Sequence, residues 1–167
     1  MSSSGSGSGS GSGNKNDNDN SNDNNINAER DDGGIPSSFS KPVVQYIFCR
    51  RDLSDEEGIA WPTGAVAAQV AHASVAAMAE GLAKQDEATK YYLSPEQLPS
   101  MTKYVYGVDS MEELEKVKQG FEEKFGNDSY HCWLEQPENI PTALATLPME
   151  RTNKVSKFVQ KLKVSYL

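Results

Sequence analysis

The sequence predicts an α/β fold built on a mixed sheet, and three observations carry that prediction. Short β-prone runs alternate with segments of helical spacing. The first run, Val43-Val44-Gln45-Tyr46-Ile47-Phe48-Cys49, is almost continuously apolar, as suits a central strand covered on both faces. The third and fourth strand-like runs lie too close together for a crossover between them, so one pair must be antiparallel.

Arg50-Arg51-Asp52 ends the first strand, and Leu53 to Ala60 reads as a polar loop. A helix starts near Thr63 or Gly64, with Pro62 tolerated at its start and Thr63 able to cap the first amides. Through Ala83 this segment is Ala-rich and apolar nearly all round, which suits close packing on a sheet. Residues 86–99 read as a short second helix or as turns, broken by Pro95 and Pro99. Lys103 to Val108 is the next strand. Ser110-Met111-Glu112-Glu113 is a capping box, followed by Met111, Leu114, Val117, Phe121 and Phe125 at helical spacing and by Gly126 as the stop. Tyr130 to Leu134 is a third strand and Thr142 to Leu147 a fourth. Val155, Phe158, Val159 and Leu162 mark a final amphipathic helix capped near Thr152 or Asn153, with room for a short strand at Val164 to Tyr166.

Residues 1–40 are Ser, Gly, Asn and Asp with almost no apolar side chains, so they are expected to form a disordered tail. The domain is then 41–167. The tail lacks the apolar stretch of a signal peptide, and no apolar run approaches the roughly 20 residues that span a membrane. Sixteen Lys and Arg against 24 Asp and Glu give a net charge of −8, half of it in the tail. An acidic domain argues against broad nucleic-acid binding. Basic residues nevertheless gather at Arg50-Arg51 and at Arg151, Lys154, Lys157, Lys161 and Lys163. Cys49 and Cys132 sit in apolar runs without metal or disulfide spacing, and are expected to be reduced and buried in an intracellular protein.

Two segments carry candidate chemistry: Trp61 to Ala73 and Trp133 to Ala143. The helix start offers amides from Gly64 onward and the Thr63 hydroxyl, suited to simple capping or to a phosphate. Gln69 and His72 stand at i and i+3, either as a satisfied buried pair or at a cleft rim where the imidazole exchanges protons. The loop Glu135-Gln136-Pro137-Glu138-Asn139 follows a strand end, where ligands collect in open α/β sheets, or is a solvated turn. There a carboxylate can activate water, while an amide or hydroxyl donates to an oxyanion. Glu112, Glu113, Glu115, Glu122 and Glu123 read as a solvated helix face. No nucleophile elbow, Walker loop, dinucleotide fingerprint or zinc motif is present.

Arg50-x-Asp52-Leu53 with Gly64-x-Val66-Ala67-Ala68-Gln69-Val70-Ala71-His72-Ala73 resembles the peptidyl-tRNA hydrolase 2 family. Trp61-Pro62-Thr63-Gly64 and Trp133-Leu134-Glu135-Gln136-Pro137-Glu138-Asn139-Ile140 resemble its peptidyl-tRNA hydrolase domain-containing protein subfamily. The resemblance implies a three-layer sandwich, with a mixed sheet of about four strands and helices on both faces. It implies a cytoplasmic hydrolase in translation quality control that cleaves peptidyl-tRNA esters, with tRNA as partner, no membrane, and neither metal nor organic cofactor. Typical members carry a Gly-Lys-Gly-Lys turn where this chain has Pro62-Thr63-Gly64-Ala65, and an Asp-x-Gly-x-Thr loop whose nearest acid here is Glu135. Thr142 matches a later family threonine, and Glu138 falls near an earlier one. On this reading Glu135 activates water, Asn139 and Thr142 donate to the oxyanion, and His72 and Gln69 orient them. Arg50, Thr63, Gly64 and Glu138 hold the substrate. The alternative is an inactive member that binds RNA or a protein partner, favoured by the missing lysine.

Overall fold

The computed structural model describes residues 38–167. The elements run β1 (Val43–Arg50), α1 (Thr63–Ala83), α2 (Glu87–Tyr92), β2 (Lys103–Val108), α3 (Met111–Phe125), β3 (Tyr130–Glu135), β4 (Ile140–Thr146), β5 (Met149–Glu150), α4 (Asn153–Lys161) and β6 (Ser165–Tyr166). The sheet order is β3-β4-β1-β2-β6, with β5 also pairing with β1. β1 and β2 are parallel, and the other pairs are antiparallel. The expected α/β class, mixed sheet and helices on both faces are all present. Four strands are long, and the two two-residue strands β5 and β6 bring the total to six. The uncertain segment after α1 contains both predicted forms: α2, then a 3-10 turn at Leu98–Ser100.

β1 alternates between two cores because neighbouring side chains leave a strand on opposite faces. Ile47 and Cys49 pack toward α1 with Ala73, Ala77, Ala143, Ala145 and Leu147. Val44, Tyr46 and Phe48 pack on the other face with Leu114, Val117, Phe121, Val155, Phe158 and Val159 of α3 and α4. Small side chains let α1 approach the sheet closely. Gln45, fully buried, has every polar atom used: its amide nitrogen donates to the carbonyls of Thr146 (3.0 Å) and Ser74 (3.3 Å), and its oxygen accepts from Ser74 Oγ (2.7 Å). That network joins β1, β4 and α1 without leaving an orphaned buried group.

Helix starts follow the capping logic except in α1. Ser110 accepts from the Glu113 amide, while the Glu113 carboxylate accepts from the Asp109 amide, one residue off the expected reciprocal box. Asp86 caps α2 and Thr152 caps α4. In α1 the cap position belongs to Pro62, whose carbonyl accepts from Ala65 and Val66. Thr63 is therefore the first helical residue and caps nothing, because its side chain already lies beyond the position from which it would reach back to the free amides.

Phe39 stacks on Tyr91 at 5.4 Å, and Ser40 donates through its amide and hydroxyl to Glu150, so both belong to the folded unit. The disorder expected further upstream lies outside the described residues.

Gly81 is where α1 meets α2. A Cβ there would stand 2.3 Å from Thr89 Oγ1 and 2.9 Å from Thr89 Cβ. Thr89 is fully buried and its hydroxyl is held by Asp86, so it cannot turn aside. Gly81→Ala is expected to cost about 1–3 kcal/mol of stability, measured by denaturant unfolding. An unchanged midpoint would show that α2 yields freely.

Candidate active site

The C-terminal end of β1, the start of α1 and the β3–β4 connection converge at one end of the sheet. The polar loop is the turn of a hairpin: Glu135 pairs with Ile140, and residues 136–139 make the turn. Asn139 takes a positive φ of 57°, which asparagine tolerates better than most residues. Its side-chain oxygen accepts from Gln136 Nε2 at 3.2 Å. Asn139 thus shapes the turn and is not among the residues lining the cleft beside it.

Beneath the hairpin, Thr142 is fully buried and donates from its hydroxyl to Gln69 Oε1 at 2.8 Å. Gln69 is only 3% exposed. With its oxygen fixed, its amide N–H2 has no protein partner among the described residues, yet no fully buried side-chain atom there lacks a partner. The amide nitrogen is therefore accessible from the cleft. That cleft, about 600 Å³, is lined by Asp55, Gln69, Glu135, Gln136 and Glu138 among polar residues and by Ile59, Ala60, Trp61, Pro62 and Ala65 among apolar ones. The loop before α1 is held by Asp55, whose carboxylate accepts from the Glu57 and Ile59 amides, and by a short bridge between Ser54 and Ala60.

Glu135 is held from its own strand. Trp133 Nε1 donates to Glu135 Oε2 at 2.9 Å, two residues apart on the same face. The Trp133 ring in turn stacks on His72 at 4.8 Å. His72 is exposed, neither buried beside Gln69 nor lining the cleft. Three residues advance a helix by about 300°, so Gln69 and His72 diverge by about 60°: one faces the sheet, the other flanks β3.

A peptidyl-tRNA hydrolase PTH2 family model matches residues 43–165, which takes in all of the sheet but its last residue and both halves of the cleft. The chain belongs to the peptidyl-tRNA hydrolase PTH2 family. Two relatives are named "Putative peptidyl-tRNA hydrolase PTRHD1". The one from Mus musculus is 35% identical over 122 residues, covering 73% of this chain and 81% of that protein. The one from Homo sapiens is 33% identical over the same lengths.

In this PTH2 chain Arg50 already has partners. Its Nε and one terminal nitrogen bind both oxygens of Asp52 at 2.8 and 2.9 Å, and its other terminal nitrogen donates to the Pro141 carbonyl at 2.9 Å. Its side chain is 13% exposed. Arg51 likewise bonds Gly107 O, Asp109 and the backbone of β6. Both arginines tie strands together: Arg50 joins β1 to β4, and Arg51 joins β2 to β6. Thr63 and Gly64 lie exposed in the first turn of α1, outside the cleft-lining set.

The Arg50 guanidinium holds the Asp52 carboxyl below the usual carboxylate range. A depressed carboxyl contributes stability at neutral pH that fades as pH falls below about 3.9 toward the folded value. Asp52→Asn is expected to be less stable than the parent at pH 7, with the gap closing on acidification. A gap that stays constant with pH would contradict that role for the pair.

Cys49 is buried, and burial pushes its thiol up to about 11. Cys132 is only half-buried, short of the full burial expected, because β3 is an edge strand. Neither cysteine lines the cleft. Among the described residues no three His, Cys, Asp or Glu side chains are grouped to hold a metal, and no helix is long and apolar enough to cross a membrane. The sequence reading singled out the segments that begin at Trp61 and Trp133 but gave neither tryptophan a role, and it did not name Asp55. For Trp133 a signal existed: an indole donor two residues before an acid on the same strand face.

Proposed function

We propose that this PTH2-family protein hydrolyses the ester between a peptidyl or aminoacyl group and the tRNA ribose. The observation that carries this reading is the buried Thr142–Gln69 hydrogen bond, which presents a fixed amide donor beside the Glu135 carboxylate in one cleft. Glu135 takes a proton from water, and the water oxygen adds to the ester carbonyl. Gln69 Nε2 donates to the oxyanion that forms. The acyl C–O bond then breaks, and the proton passes to the departing ribose oxygen. The products are a free carboxylic acid and a tRNA with its hydroxyl restored.

The roles differ from those read in the sequence. Thr142 donates its hydroxyl hydrogen bond to the Gln69 oxygen, so in this reading Gln69 is the oxyanion donor and Thr142 its positioning residue. His72 acts through Trp133, which orients Glu135. Asn139 shapes the hairpin, and Arg50 anchors β4 through Pro141. Glu138 at the rim suits a ribose hydroxyl, the Thr63 and Gly64 amides suit a phosphate, and Trp61 suits a base. This chemistry calls for no metal or organic cofactor. On this reading the protein works in cytoplasmic translation quality control, where peptidyl-tRNA esters arise. A second reading, a scaffold that binds RNA or a protein partner without hydrolysis, is favoured by one observation: Pro62-Thr63-Gly64-Ala65 carries no lysine.

The test is a defined peptidyl-tRNA incubated with the purified protein and with a Gln69→Leu, Thr142→Val double variant. Removing both partners avoids leaving one buried and unpaired, so the fold should persist. Loss of one oxyanion donor typically costs about 10²–10³ in kcat. Full turnover in the double variant would remove Gln69 from the reaction.

A further inference from the structure

A second polar pocket lies on the opposite face of the sheet from α1. The strand register places Tyr46 beside Tyr104, and Tyr106 beside Tyr166. Their rings stack in pairs, at 5.5 Å and 5.1 Å. These four tyrosines line a pocket of about 90 Å³ that Arg151, Ser156 and Gln160 close from the side of α4. Apart from Val159, every residue lining the pocket carries a hydrogen-bond donor, and no carboxylate side chain lines it. Arg151 lies over the Tyr104 ring at 5.2 Å, with no carboxylate partner among the described residues. Burial, then the neighbouring Tyr166, push the Tyr106 phenol up to about 12, so it stays a neutral donor at physiological pH.

The surroundings select the ligand. Residues 151–167 hold Arg151, Lys154, Lys157, Lys161 and Lys163 and no Asp or Glu, in a chain of net charge −8. Tyr166 is 66% exposed, so one face of its ring is covered by Tyr106 and the other is open. A compact set of donors with one cation and no carboxylate matches a phosphate group. An open aromatic ring beside cations matches a nucleic-acid base on a single strand. The pocket has room for one small tetrahedral anion.

We propose that this pocket is a single-stranded RNA contact, with one backbone phosphate held by Arg151, Ser156 and the tyrosine hydroxyls and the adjoining base stacked on Tyr166. The choice of RNA as the source of the phosphate rests on the hydrolase reading above; the preference for phosphate does not.

The experiment titrates the full-length chain with uncharged tRNA, a short single-stranded RNA, 5′-AMP and inorganic phosphate, none of which contains the ester. Arg151→Gln is expected to weaken both RNAs about tenfold. It should also lower the magnitude of the log–log salt slope by about one. Arg151→Lys should restore the slope and part of the affinity. Tyr166→Ala should weaken the RNAs and 5′-AMP about tenfold, and Tyr166→Phe, which keeps the ring and removes only the hydroxyl, should weaken them far less; inorganic phosphate competes with both. RNA affinity unchanged in Arg151→Gln and Tyr166→Ala would overturn the proposal. So would inorganic phosphate that binds without displacing RNA, since free phosphate would then be the pocket's ligand. A wild type that binds RNA through Arg151 but leaves peptidyl-tRNA intact would sink the hydrolase reading and leave this contact standing.

Discussion

Glu135→Gln is expected to lower peptidyl-tRNA hydrolysis by about 10²–10⁴ while leaving the thermal midpoint nearly unchanged, because in the proposed mechanism it removes the general base and little else. Glutamine is almost the same shape, and its oxygen can still accept from Trp133 Nε1, the bond that orients the wild-type carboxylate at 2.9 Å. The neighbouring donor Gln69 keeps its own anchor on Thr142. The variant should therefore bind tRNA normally and fail in turnover, with KM little changed and kcat reduced. Wild-type turnover in Glu135→Gln would take the carboxylate out of the chemistry and leave Gln69 to stabilise an attack by unassisted water.

The largest stability effect is expected at Phe121. It is fully buried and meets Phe48 of β1 at 5.8 Å, Phe125 at 5.5 Å and Phe158 of α4 at 5.0 Å, measured between ring centroids. One side chain thus joins the sheet to both helices of that layer. The packing has no slack: a Cβ on the adjacent Gly120 would stand 2.6 Å from Phe158 Cζ. Phe121→Ala should cost about 3–5 kcal/mol, from lost burial and a cavity that rigid neighbours cannot close. Against a usual total of about 5–15 kcal/mol, that brings the protein close to unfolding. Urea denaturation should show a lower midpoint at an unchanged slope. A loss below about 1 kcal/mol would mean the three remaining rings collapse into the space.

The fold was legible where the physics is local. β1 announced itself because burial on both faces demands a continuous apolar run, and α3 and α4 announced themselves through one-sided periodicity. β5 and β6, two residues each, are too short to show a period. They exist because β1 and β2 offer edges to pair with, and Arg51 secures β6 across more than a hundred residues of sequence. The site shows the same division. Glu135, Gln69 and Thr142 stood out as polar residues at the ends of core elements. Which of Gln69 and Thr142 faces the cleft could not be read, because 73 residues separate them and only the packing of α1 on β4 decides. Arg50 read as a substrate-holding residue, although Asp52, two residues on, was the signal that its charge would be matched internally. His72 was misplaced by treating i and i+3 as one direction, when the 60° between them separates sheet from flank.

Hydrolysis at the Gln69–Glu135 cleft is tested most directly by a single-turnover assay with excess purified protein and a defined peptidyl-tRNA. The expected result is release of peptide with a free carboxyl group and of intact tRNA, far faster than without protein and suppressed in Glu135→Gln. An ester that survives at its protein-free rate while the tRNA is fully bound would contradict it.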